Sequence, residues 1–135
     1  MAHLVVLFIL AGCSGPRLEI AEVDGKITLN NKPLGGVIIT FYPLSEGNEQ
    51  WPYSTAISSS DGSFTLTFQN AKPGAVFGPH RAVVQWPSRD RLEGRGERIP
   101  AGTPIPLRYT TILESPLAIE IKAGGRQTVE LKLED

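Results

Sequence analysis

The chain has 135 residues, with 13 Lys and Arg against 14 Asp and Glu, for a formal net charge of −1. Charge this balanced supplies no global field for nucleic acid or an anionic surface, which argues against a nucleic-acid binder. The single cysteine excludes an intrachain disulfide, so burial of apolar side chains has to hold the fold.

In chain order, the first signal is the apolar run Leu4-Val5-Val6-Leu7-Phe8-Ile9-Leu10, followed by Ala11, Gly12 and Cys13. The run is too short to span a bilayer, which needs about 20 apolar residues, and has the length of a signal-peptide core. Leu10-Ala11-Gly12-Cys13 reads as a lipobox, in which small residues fit a peptidase cleft and Cys13 carries the lipid as the mature N-terminus. The competing reading is a buried first strand. Against it, the run does not alternate, and Ser14-Gly15-Pro16 breaks the chain directly after the cysteine. The region before the run, Met1-Ala2-His3, lacks the usual Lys or Arg. Residues 1–12 are therefore assigned to a signal peptide, 13–21 to the lipidated cysteine and a short tether, and 22–135 to one β-domain. Cys13 lipidation would place the protein in the cell envelope, on an outer membrane or a periplasmic face. More than one acyl chain makes such an anchor stable.

The remainder reads as strands. Lys26 to Asn30 alternates with Ile27 and Leu29 inward, and a turn cluster at residues 30–36 precedes a strand with Val37, Ile39 and Phe41 on one face. Tyr53, Thr55 and Ile57 share one side of a weaker strand. Asp61-Gly62 is a tight-turn signal, and Phe64, Leu66 and Phe68 then alternate with Ser63, Thr65 and Thr67. Ala82, Val84 and Trp86 mark a strand entered through Gly78-Pro79. Leu117, Ile119 and Ile121 mark another, and a Gly124-Gly125 turn leads to Val129, Leu131 and Leu133. No stretch carries a helical period. The pattern predicts an all-β fold, a seven-stranded antiparallel sandwich.

One segment breaks the rhythm. Residues 87–106 are polar and rich in Pro and Gly, with Arg89, Arg91, Arg95 and Arg98 interleaved with Asp90, Glu93 and Glu97. Long structureless loops in compact domains are either functional or solvated insertions. Those arginines, with Trp51 and Trp86, form the candidate binding set, since an aromatic ring beside a polar loop can stack on a sugar face. The alternative is that Trp86 caps the core and Trp51 covers a sheet edge.

Gly25-Lys26-Ile27-Thr28, Lys32-Pro33-Leu34-Gly35-Gly36-Val37 and Ser60-Asp61-Gly62-Ser63-Phe64 together resemble the signature of carboxypeptidase regulatory-like domains, which are transthyretin-like (prealbumin-like) sandwiches. Arg108-Tyr109, Ser115-Pro116-Leu117 and Lys122-Ala123-Gly124-Gly125 resemble the ending of small lipoproteins of this type from planctomycete-like bacteria. The resemblance runs from about Val23 to Leu133 and implies a non-catalytic surface or interaction module. His80 stands where such domains usually carry a tyrosine. Purine-pathway hydrolases share the fold, but their Tyr-Arg-Gly-Ser ending has no counterpart in Leu131-Lys132-Leu133-Glu134-Asp135.

Catalytic chemistry has little to draw on. His80 would have to recruit Ser88 and Asp90 or Glu97, without a nucleophile elbow. Zinc needs several Cys or His ligands, and Asp61 alone does not make the acidic loop that calcium takes. The expectation is no enzyme, no metal and no cofactor. The partners expected are the membrane, through the lipid, and an envelope protein or glycan. The alternative function is a carbohydrate- or peptide-binding adhesin.

Overall fold

The computed structural model describes residues 19–44, 52–68, 72–87 and 104–135. These form an all-β structure of two sheets, with no α-helix among the described residues. The strands are β1 (Ile20–Leu29), β2 (Lys32–Pro33), β3 (Ile38–Pro43), β4 (Ser54–Ile57), β5 (Ser63–Thr65), β6 (Thr67–Phe68), β7 (Lys72–Pro73), β8 (Ala75–Val76), β9 (Gly78–Gln85), β10 (Ala118–Ile121) and β11 (Arg126–Leu133). A 3-10 turn, Leu107–Tyr109, precedes β10.

β1 organises the first sheet. Along one edge it pairs with β11 in unbroken register, from Glu22 opposite Arg126 to Leu29 opposite Leu133. Along its other edge, β8, β5 and β2 each take a short stretch in turn. The second sheet runs β10-β9-β3-β4-β6-β7. Alternation puts Val23, Ile27 and Leu29 of β1 between the sheets with Ile39 and Phe41 of β3, Val84 of β9 and Leu131 and Leu133 of β11. Each such side chain contributes about 1.5–3 kcal/mol on burial. That is the stabilisation a chain with one cysteine depends on.

The inward faces expected from the alternation are found, with Val37 joining Ile39 and Phe41, and Tyr53, Thr55 and Ile57 turned away from the core. Other expectations need correction. Where seven strands are expected, the described residues hold eleven β segments, because one expected run divides between the sheets and three two-residue segments, β2, β7 and β8, lie outside the expected runs. The run Phe64–Phe68 breaks at the fully buried Leu66, with β5 pairing β1 in the first sheet and β6 pairing β4 in the second. Asp61-Gly62 therefore joins strands of different sheets rather than closing a simple hairpin. The chain changes sheet again between β8, which pairs β1, and β9, which lies beside β3. The sheets are also not wholly antiparallel, because β11 runs parallel to β1. The turn at Gly124-Gly125, with φ of 93° and 71°, carries the chain from the second sheet to the first, so β10 and β11 do not pair as a hairpin. Finally, β1 starts at Ile20, inside the span read as tether, because Ile20 and Ala21 pair with Val76 and Ala75.

The registers give the molecule two distinct ends. At one lie Ile20, Leu44, Gly78, Ile121 and Arg126, tied by Phe77 N–H to Glu19 O and Leu44 N–H to Pro79 O. At the other lie the Asn30-Asn31 turn, Gly36 bonded to Ser58, the 59–62 turn, Trp86 and the 3-10 turn. Asn30 and Asn31 have φ of 51° and 67°, the left-handed pair that a two-residue hairpin requires. The ten residues of β1 separate the ends by about 30 Å.

Candidate functional site

The outer face of the first sheet carries an open groove of about 520 Å³. Its walls come from β1, β5 and β11, together with the β4–β5 connection: Asp24, Lys26, Ser59, Ser63, Thr65 and Thr128 are its polar residues. Period two puts them there, since Asp24 sits in register with Thr65 on one side and Thr128 on the other. Asp24 Oδ1 accepts the Thr65 hydroxyl at 2.9 Å, and its Oδ2 lies 3.4 Å from Arg126 Nε. Arg126 also reaches Glu22 Oε2 at 3.1 Å. At the rim, Asp61 Oδ1 accepts both the Ser63 N–H at 3.0 Å and its hydroxyl at 2.6 Å. Those two bonds hold the Asp61 carboxyl below the usual carboxylate range.

Beneath the groove, Gly25 faces Phe64 across β1 and β5. A Cβ at Gly25 would fall within the Phe64 ring, so only glycine lets the ring lie flat against β1. The groove thus offers hydroxyls, a carboxylate and an ammonium on a rigid strand floor. This is hydrogen-bonding chemistry suited to a polar ligand.

His80 is elsewhere. It is 1% exposed, on the inner face of β9, with its ring 6.1 Å from Phe41. Its Nδ1–H donates to Gly78 O at 2.9 Å, while Nε2 is buried with no hydrogen-bond partner among the described residues. Burial lowers its pKa, against the opposing pull of the Gly78 carbonyl and Glu120. A neutral, enclosed imidazole packs as part of the core. No described cluster of three His, Cys, Asp or Glu is arranged to hold a metal.

Of the residues expected to bind, Trp86 lies just past β9, half-buried and packed against the core beside Gly36. Cys13, Trp51, Arg89, Arg91, Arg95 and Arg98 lie outside the described residues. Pro87 and Pro106, which bound the arginine-rich stretch, both belong to the end that carries Trp86. Tyr53, next to Pro52, belongs to the opposite end, where its exposed ring lies 5.6 Å from that of Tyr42. Tyr53 and Trp86 therefore lie at opposite ends of the sandwich. The sequence reading did not single out Asp24, Thr128 or Tyr42. Their outward alternation was the available signal, but only the strand order shows which of them meet.

No family model matches the chain, and no curated protein matches it. Among solved structures it is similar to a DUF3823 family protein from Parabacteroides merdae, at 14% identity and a TM-score of 0.45, over 86% of this chain and 46% of that one. The chain therefore spans less than half the length of the protein it matches.

Proposed function

We propose that the chain is a bacterial lipoprotein, tethered through Cys13 to an envelope membrane, whose β-sandwich serves as a non-catalytic structural or interaction module. One observation carries this reading: β1 begins at one end of the sandwich, and the turns at 30–36 and 59–62, Trp86 and the 3-10 turn gather at the other. A tether entering at Ile20 would hold that first end toward the bilayer and present the loop-bearing end to the envelope space. The two sheets, with β1 parallel to its last neighbour and strands that change sheet, are compatible with a transthyretin-like sandwich of the carboxypeptidase regulatory type. The test is orientation. Fluorophores at Ser60→Cys and Lys122→Cys, in full-length protein inserted in vesicles with headgroup-attached quenchers, should differ. The Lys122 site is expected to be quenched and the Ser60 site, about 30 Å further out, to be bright. Equal quenching would reject the arrangement.

A second reading, binding of a glycan or peptide by the loop-bearing end, rests on Trp86 lying at the same end as Pro87 and Pro106. It requires peptidoglycan or glycan capture that Trp86→Ala abolishes.

A further inference from the structure

β11 is an edge strand, and among the described residues it pairs with β1 alone. Among the described residues it is the longest edge strand, eight residues against four in β10, three in β5 and two in β2, β7 and β8. It contains no proline, and its register with β1 has no bulge. Natural edges of this length are usually broken, covered or paired.

The hydrogen bonds beyond β11 show which groups face the open side. Leu133 O accepts Asn30 N–H, and Asp135 N–H donates to Asn30 Oδ1, both toward β1. Glu134, between them, points the other way: its N–H donates to the Tyr109 hydroxyl at 3.0 Å, and its carbonyl accepts that hydroxyl at 3.2 Å and Arg108 Nη2. By alternation, the backbone groups of Arg126, Thr128, Glu130 and Lys132 face the open edge. Among the described residues, Tyr109 and Arg108 close that edge only at its end, and no strand pairs with the outer side of Arg126–Lys132.

The outward side chains select a partner. Across β1 and β11 the rows read Glu22–Arg126, Asp24–Thr128 and Lys26–Glu130. An antiparallel copy of β11 centred on Thr128 extends the first row to Glu22, Arg126, then Glu130 and Lys26 of the second copy, alternating in sign throughout. The third row repeats this by symmetry. Centring on Val129 would set Arg126 against Lys132, and centring on Glu130 would oppose two glutamates; like charges directly opposite destabilise a sheet. Centring on Leu131 would bring Thr128 against Glu134, whose backbone Tyr109 already occupies.

We propose that the open edge of β11 pairs antiparallel with the same edge of a second copy, centred on Thr128, joining the two first sheets into one continuous sheet.

The test uses the full chain in a non-ionic detergent, with Cys13→Ser so that an added thiol is the only one. Adding Thr128→Cys should give an oxidised, reductant-reversible dimer, since hydrogen-bonded antiparallel partners lie about 5.5 Å apart at Cα, within disulfide reach. Thr65→Cys, on the same face but on the far side of β1, should stay monomeric. By sedimentation, the Cys13→Ser chain should be a dimer. Thr128→Pro should lose it while keeping its β-sheet circular dichroism, because the deleted N–H faces away from β1. Should Thr128→Pro fail to fold, the contrast between the two cysteine variants decides. A Cys13→Ser chain that sediments only as a monomer overturns the proposal. So does a dimer that cross-links no faster through Thr128→Cys than through Thr65→Cys.

Discussion

The hydroxyl of Tyr109 is bonded to both backbone groups of Glu134, accepting its N–H and donating to its carbonyl. Tyr109 itself is buried, and the Arg108 guanidinium lies 4.6 Å from its ring centroid. One side chain thereby fastens the segment before β10 to the end of β11, and so ties the second sheet to the first at the loop-bearing end. Tyr109→Phe keeps the ring and the cation above it but strips both bonds. It is expected to lower stability by about 1–2 kcal/mol, read as a lower urea midpoint with an unchanged m-value.

Acid should weaken the fold through His80. Burial lowers its folded-state pKa below the ordinary 6.5, so at mildly acidic pH the unfolded chain binds a proton that the native chain refuses. Stability from the neutral imidazole is then fully present above 6.5 and is lost progressively as pH falls below it. Urea midpoints between pH 7.5 and 5 should decline in the wild type and flatten in His80→Leu. Asp61, also lowered, acts in a separate window near and below its ordinary 3.8.

Gly25→Ala should cost about 1–3 kcal/mol, because the new methyl meets the Phe64 ring and the core cannot yield without shifting a strand. Phe64→Leu in the same chain should recover part of that loss. A double-mutant cycle with no coupling would mean the ring does not seal Gly25.

The exposed pairs should matter far less. Asp24→Asn weakens the contacts to Thr65 and Arg126, but the Arg126 partners are well exposed, and such surface ion pairs contribute about 0–1 kcal/mol. Thermal unfolding of this variant should stay close to the wild type and differ least from it at high salt.

The sequence made the inward faces legible because period two needs only local information: Ile27, Leu29, Ile39, Phe41, Val84, Leu131 and Leu133 are all core residues. It did not reveal strand direction or the changes of sheet. Nothing local to Leu66 or Gly124 states whether the chain stays in its sheet, since that depends on what lies across the core. The groove was hidden for the same reason. Asp24, Thr65 and Thr128 are far apart in sequence and meet only because β5 and β11 flank β1. The burial of His80 was not legible either, because it depends on Phe41 of the neighbouring strand and not on residues beside His80 in sequence.

Lipid attachment is the claim on which the rest of the functional account stands, and mass is its most direct readout. Intact mass spectrometry on membrane fractions should find a chain beginning at Cys13 with added acyl mass, and the Cys13→Ser variant should lack both the processing and the lipid. An unprocessed or unacylated wild-type chain would contradict the account and return residues 1–12 to the description of the folded protein.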